Sequence, residues 1–559
     1  AFYYQDYERQ KGPPSDRYLP VGPGVFQVRF TPRESGEYRW RLQARYRNLL
    51  APSMPPETAE SAAYAFTVTP RSHRGFVRVS PRDPRYFEYE DGSPCFPVGH
   101  NFRSPTDLTD WIQLLLPQNP GTPPPVDRGL NIYEEYLPRM AAVGENMFEV
   151  WMSSWWLAIE WSDAWKGYHG LGCYNTENAW KLDELLRLAE ENGFQVHLAL
   201  DNHGKAAQGV GTGPGRSGQV DHEWEFSPYN VANGGFLTDP LGLFRDDPRV
   251  TRYYHNLLRY VAGRWGYSTA IFGIEMWSEI DLIGSKDGRD KAVYASPEVR
   301  AWHQRMIRYL KSLDHGRHVV TTHYSYKYNV IDRDMVALPE IDYITCDAYH
   351  TMGQSLVQLL LNTDRFAQEF HKPYLVTEYG ASWNAGTWEV LEADLHAGLW
   401  TSWMTNASGT ALFWWFEHLN RADLYPHFRG LARFLRGEDK RSAPEGPPFE
   451  AWPVEIRGMG DKPPGALASL AQGNGEVVYA WIYDEAAVAS LPSPDKRRPH
   501  TRVVAVFRNL KGRTANVEVW DTLAGEILSS LSLGIEGSAV SVSLPDFWLD
   551  VAIKIRTVP

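Results

Sequence analysis

Two acidic residues stand where a carboxylate can do chemistry. In Ile271-Phe272-Gly273-Ile274-Glu275-Met276-Trp277-Ser278-Glu279 an apolar run of strand character ends in carboxylates. Pro373-Tyr374-Leu375-Val376-Thr377-Glu378-Tyr379-Gly380 has the same form. A short apolar run bounded by polar residues reads as a buried strand. In a parallel barrel, the C-terminal end of such a strand is where side chains meet substrate. Glu279 and Glu378 on two such ends suit cleavage of a glycosidic bond, which takes a proton donor and a nucleophile on opposite sides of that bond. Either Glu alone would be an ordinary rim residue, since charged side chains mostly stay exposed. The pair, each in its own strand of a countable series, carries the reading.

Other side chains fall near these strand ends. Tyr349 and His350 close strand six and are candidates to hydrogen-bond Glu378. Asn202 and His203, after strand three, and His323, which ends strand five, are candidates to bind substrate hydroxyls. Trp151, Trp155, Trp156, Trp383 and Trp415 follow or end strands. Indole rings stack on apolar faces while offering an N–H, which suits sugars. The histidines show no His-Glu-x-x-His spacing, so no metal site is expected, and this chemistry requires no cofactor. The glycine-rich run 209–215 lacks the Lys-Ser/Thr of a phosphate loop and reads as an active-site loop.

The elements that must position these groups alternate. Strands are expected at 96–101, 146–151, 195–200, 271–275, 318–324, 343–350, 373–378 and 410–416. Helices are expected at 133–143, 179–192, 250–265, 297–313, 355–370, 388–405 and 427–435. Val250, Tyr253, Tyr254, Leu257, Leu258, Val261 and Trp265 follow the spacing of one buried helical face. Eight strands, most followed by a helix, predict a (β/α)8 TIM barrel over 85–441. The unit after strand five lacks a clear long helix. The flanks read as β: residues 1–72 as an N-terminal β-sandwich that is short of strands, and 451–559 as a C-terminal β-sandwich. Residues 73–84 and 442–450 read as linkers. The fold class is thus multidomain, α/β plus β.

With 559 residues the chain is too long for one core. Its net charge of −12 argues against a nucleic-acid partner. No apolar run is long enough to suggest a membrane helix. The three cysteines, Cys95, Cys173 and Cys346, have neither zinc nor disulfide-framework spacing. With 22 Trp and 30 Tyr, the chain has ample aromatic surface for sugar stacking. No signal peptide opens the chain, as would also hold for a secreted precursor trimmed at Ala1.

The barrel resembles the clan A glycoside hydrolases, most closely family 5. Their strand-four motif commonly reads Trp-Glu-Leu-Trp-Asn-Glu, and Glu275-Met276-Trp277-Ser278-Glu279 matches its last five positions with Ser in place of Asn. Their strand-seven run of Thr-Glu-Tyr/Phe-Gly is matched by Thr377-Glu378-Tyr379-Gly380. The resemblance implies that Glu279 is the acid/base and Glu378 the nucleophile of a retaining double displacement. It implies a β-linked plant or microbial oligo- or polysaccharide as substrate. Two positions depart from the pattern. Ser278 stands where the family's Asn grips the sugar 2-hydroxyl. Glu149 stands where strand two often carries Arg, leaving Arg103, two residues past Asn101, as the candidate cation. The flanks resemble β-sandwiches found beside such barrels in bacterial proteins, which implies a secreted or periplasmic protein. A carbohydrate-binding barrel without activity and a transglycosylase using the same two acids are the competing readings.

Overall fold

The computed structural model describes residues 1–559 except 13–15, 47–52, 71–72, 106–127, 209–222, 285–288, 351–353, 384–385, 443–445 and 459–466. The glycine-rich run 209–215, expected as an active-site loop, lies outside the described residues.

The central strands are parallel and follow one another in chain order. Gly99–His100, Met147–Trp151, Gln195–Ala199, Ile271–Glu275 and Val319–Thr321 form one run, and His323–Tyr324, Ile344–Ala348 and Tyr374–Tyr379 another. The runs meet within strand five, where Thr322 alone separates Val319–Thr321 from His323–Tyr324. The eighth strand, expected at 410–416, is shorter. Phe413 makes single parallel bridges to both His100 and Tyr379. Thr410 N donates to Pro97 O (2.9 Å), Leu412 N to Val376 O (2.8 Å) and Trp414 N to Tyr379 O (2.9 Å). No longer ladder forms because Phe416–Arg421 is already a helix.

Helices return the chain between strands: Leu130–Ala142, Thr176–Asn192, Pro248–Trp265, Pro297–Asp314, Leu356–Gln368 and Trp388–Trp403. After strand five there is only the short Arg333–Val336. Pro248–Trp265 illustrates the local logic. The Asp247 side chain accepts from Arg249 N, a proline opens the helix, and Val250, Tyr254, Leu257, Leu258, Val261 and Trp265 are buried along one side. This is a (β/α)8 architecture.

The stretch 73–84, expected as a linker, instead supplies the strand Val77–Val79. With Phe87–Tyr89 and Pro94–Cys95 it makes a small antiparallel sheet. Val77, Phe87 and Cys95 pack against Met147, Phe272, Val319, Tyr343, Leu375 and Leu412 at the N-terminal ends of the barrel strands. The floor of the barrel is therefore apolar and stoppered. Gly273 is required there, because a Cβ would lie 2.6 Å from Tyr343 Oη.

The two flanks differ. The described residues of 1–72 form three two-stranded antiparallel ribbons: Phe2–Gln10 with Arg17–Gln27, Gly36–Trp40 with Tyr64–Val68, and Gln43–Tyr46 with Glu57–Glu60. Among the described residues of this stretch only Phe2 is buried. The alternating aromatics pair across a ribbon, Tyr38 with Phe66 and Trp40 with Tyr64. The first ribbon is moored to the barrel, where Arg29 and Arg264 both reach Asp183, at 2.7 and 2.8 Å.

At the other end, Glu450–Ala451, Leu467–Gly473, Val477–Asp484, Asp550–Val558, Thr514–Asp521 and Glu526–Gly534 form one sheet. Val454–Gly458, Val503–Phe507 and Val540–Ser543 form a second. Val478, Ala480 and Ile482 join Ala505, Phe507 and Val542 in one apolar core. The alternate residues Tyr479, Trp481 and Tyr483 belong to the core of the barrel. Both faces of that strand are thus buried, as its continuous apolar run requires. Among the described residues no helix is long and apolar enough to cross a membrane.

Asp550 pins the C-terminal sheet to the barrel. Its carboxylate accepts from His396 Nε2 (2.6 Å), Trp481 Nε1 and Thr522 Oγ1, all buried. Asp550→Ala strands three donors and is expected to lower the unfolding free energy by about 3 kcal/mol. Urea unfolding of the full chain checks this, with the exposed Glu526→Ala expected to leave the midpoint unchanged.

Candidate active site

Alternation along the strands carries the chain from apolar floor to polar mouth. On strand two, Met147, Glu149 and Trp151 occupy alternate positions and so share a face. Met147 lies in the floor. On strand six, Tyr343 is also in the floor and Asp347 is four residues further on. Asp347 is the register partner of Glu378 on strand seven. Glu279 lies four residues beyond the end of strand four, at φ 54° and ψ 50°. A non-glycine residue in this left-handed region is held there by its surroundings.

The two acids predicted from sequence share one neighbourhood. Tyr349 Oη donates to Glu378 Oε2 at 2.8 Å. Glu378 Oε1 is buried and has no hydrogen-bond partner among the described residues. His203 Nδ1 lies 3.0 Å from Glu279 Oε2. Burial pushes the Glu378 carboxyl well above its ordinary range, the charges of Asp347 and Glu279 add to the push, and His323 opposes it. Like charges this close disfavour one another's ionisation.

A third carboxyl stands beside them. Asp347 Oδ1 lies 2.6 Å from His323 Nε2 and Asp347 Oδ2 accepts from Tyr326 N at 2.9 Å. His323 Nδ1 accepts from Glu279 N at 3.2 Å and is 3.4 Å from Ser278 Oγ. Burial raises the proton affinity of Asp347, and Glu279 raises it further. Burial works against a charged His323, but Glu275 and Glu378 outweigh it, so its net direction is upward.

Beneath lies a second polar layer. His197 Nδ1 is 3.1 Å from Glu149 Oε2, and its Nε2 is 3.9 Å from Glu275 Oε2. Burial drives the Glu275 carboxyl well up; Glu149 and Glu378 add to this while His323 opposes. Glu149, His197 and Glu275 have the reach to hold a metal ion, as do His323, Asp347 and Glu378. In the second group both ring nitrogens of His323 are already engaged. In the first, His197 Nε2 and Glu275 Oε1 lack partners among the described residues and would be the ligands.

Several predicted binding residues converge on this layer and its rim. Asn101 Nδ2 donates to Thr377 O (2.9 Å) and Glu149 Oε1 (3.3 Å). Trp151 Nε1 donates to Glu149 Oε1. Arg103 Nη1 donates to Trp414 O at 3.2 Å, and its guanidinium lies 3.2 Å from the Trp414 ring centroid. Ser278 is buried and clamped by backbone: its N donates to Asp201 O (2.8 Å), and its O accepts from His203 N (3.0 Å). Trp383 is 42% exposed.

Three other predicted residues have distinct surroundings. His350 Nε2 pairs with Asp394 Oδ2 at 2.8 Å on the helix Trp388–Trp403, leaving Tyr349 as the partner of Glu378. Trp415 is buried, its Nε1 donating to Gly380 O at 2.9 Å. The ring in reach of the site is Trp414, 5.9 Å from Trp151 and 6.3 Å from Tyr349. Asn202 forms a parallel bridge with Ser278 and lines a small cavity with Ser153, Glu160 and Lys205. Asp347, Glu149, Glu275, His197 and Trp414 were not assigned from sequence. Asp347 stands two residues before Tyr349 and Glu149 two before Trp151, so a fixed strand phase would have found both.

Comparison with known proteins agrees with this architecture. The model of glycosyl hydrolases family 2, TIM barrel domain, matches residues 293–393. A glycoside hydrolase family 5 protein of Bacteroides vulgatus superposes with TM-score 0.51 at 14% identity, over 87% of this chain and 94% of that one. A second Bacteroides vulgatus structure gives TM-score 0.54 at 12% identity, over 100% of this chain and 99% of that one. The barrel has the fold of the clan A glycoside hydrolases. No curated protein matches the chain in sequence.

A stability test follows from Glu275. Its raised proton affinity in the fold means that folding costs nothing extra below the unfolded carboxylate value of 4.5 and progressively more above it. Glu275→Gln is neutral at every pH. The variant is expected to match wild type near pH 4 and to become the more stable of the two as pH rises towards 7. Urea midpoints across that range check the sign.

Proposed function

We propose that this protein is a retaining glycoside hydrolase acting on β-linked oligo- or polysaccharide. The observation that carries the reading is the state of Glu378: one oxygen is held by Tyr349 and the other is without a partner among the described residues. A carboxylate so held presents a single oxygen for attack. In the proposed reaction Glu378 Oε1 attacks the anomeric carbon, and Glu279 gives its proton to the departing glycosidic oxygen. Water then attacks the glycosyl–enzyme ester, returning a proton to Glu279 and freeing Glu378. Two inversions leave the anomeric configuration unchanged. The chemistry calls for carboxyl groups about 5–5.5 Å apart.

The charges of Glu279 and Asp347 both bear on Glu378, and like charges this close disfavour one another's ionisation. The reading leaves Glu378 ionised, where the tyrosine hydroxyl donates, and gives the transferable proton to Glu279. Trp151, Trp414, Arg103 and Asn101 form the floor of the sugar site, and the exposed Trp383 stands at its rim. The C-terminal sheets are read as a β-sandwich and the whole as a secreted or periplasmic bacterial protein that degrades polysaccharide.

The test uses aryl β-glycosides of several sugars. Glu378→Ala is expected to abolish turnover, and Glu279→Ala to cost about 10²–10⁴-fold on substrates with poor leaving groups. Added azide separates the roles. With Glu279→Ala it intercepts the glycosyl–enzyme and gives the β-azide. With Glu378→Ala it takes the place of the carboxylate and gives the α-azide. Equal rates for wild type and Glu378→Ala on every substrate overturn the assignment.

A further inference from the structure

We propose that His323 and Asp347 form a positioning pair that holds the backbone of Glu279 in its left-handed conformation and aims its carboxyl at the substrate. The proposal rests on the hydrolase reading above and adds two residues to it. Neither would touch the reacting atoms.

Hydrogen-bond directions assign every proton in the pair. Glu279 N–H can only donate, so His323 Nδ1 must present a lone pair at 3.2 Å. The ring proton is therefore on Nε2, 2.6 Å from Asp347 Oδ1. Asp347 Oδ2 accepts a second donor, Tyr326 N–H, at 2.9 Å. Both oxygens of Asp347 accept, and both nitrogens of His323 have fixed roles. A second proton on the ring would set Nδ1–H against Glu279 N–H. The pair is thus a neutral imidazole on an ionised carboxylate for as long as Glu279 keeps its backbone: the N–H groups facing Nδ1 and Oδ2 oppose the upward pull of the surrounding carboxylates on the ring and of burial on Asp347.

That backbone needs holding. At φ 54° a glutamate is strained. Residue 278 is clamped from strand three by Asp201 O and His203 N. His323 supplies the matching clamp from strand five. Ser278 suits this arrangement: its hydroxyl lies 3.4 Å from the same Nδ1 and adds no bulk above the ring.

The variants follow from donor counting. An Asn at position 347 has one accepting oxygen for two facing N–H groups. With its NH2 towards His323 it drives the ring proton to Nδ1, against Glu279. Asp347→Asn is therefore expected to lower kcat by about 10²–10⁴-fold with KM nearly unchanged, as wrong-tautomer variants do. His323→Ala is expected to fall equally far. His323→Gln offers an oxygen to Glu279 N–H and an NH2 to Asp347, so it is expected to recover most of the loss.

The charged groups facing the pair are Glu275 from strand four, Glu279 and Asp281 beyond it, Glu149 from strand two and Glu378 from strand seven. Among the charges, Asp347 pushes hardest on Glu378. Asp347→Asn should therefore also move the acid limb of kcat/KM to lower pH, which a merely structural residue would not do.

Nitrogen-15 NMR of His323 in the wild-type chain tests the pair without any substrate. The expected signature is the neutral Nε2–H tautomer at pH 7. A doubly protonated ring or the Nδ1–H tautomer overturns the proposal, as does a His323→Gln variant no better than His323→Ala. Wild-type inactivity on every glycoside would sink the hydrolase reading, with the tautomer measurement still deciding the pairing.

Discussion

Four buried carboxyl groups and two buried imidazoles share one ring of strands, and the rest of the barrel answers to how few charges that space can hold. Glu149, Glu275, Asp347 and Glu378 are buried, as are His197 and His323. In a medium of low polarisability like charges repel far more strongly than in water. Fixed donors therefore replace solvent: Tyr349 for Glu378, the Tyr326 amide and His323 for Asp347, Trp151 and Asn101 for Glu149. Glu275 has the poorest set, with a threonine hydroxyl at 3.5 Å and one bare oxygen.

Much of this was legible in the residues. Glu279 and Glu378 stand at the ends of apolar runs, and the helix periods between strands were long and regular. The phase of short strand ends was harder to read. Trp414 and Trp415 are adjacent, and alternation alone does not say which faces inward when a helix begins at the next residue. His350 and Tyr349 pose the same problem, and only the tertiary partner Asp394 resolves it. Asp347 lay inside a run whose neighbours are apolar, and its chemistry depends on His323 from another strand. Pairings across 24 residues leave no trace in local spacing.

The flanks show the limits of period two. In the C-terminal unit, Val454–Gly458 and Glu526–Gly534 carry a weak signal because their burial alternates only between exposed and half-buried, as befits strands at a sheet margin. In residues 1–72 the alternation is genuine but finds no opposite sheet among the described residues, so aromatic rings pair along the ribbon. Strand propensity is a statement about a pleated surface; whether anything covers that surface is decided elsewhere in the chain.

The small antiparallel sheet beneath the barrel closes its lower end. With Phe87 wedged among Phe272 and Tyr343, nothing can be threaded from one end to the other.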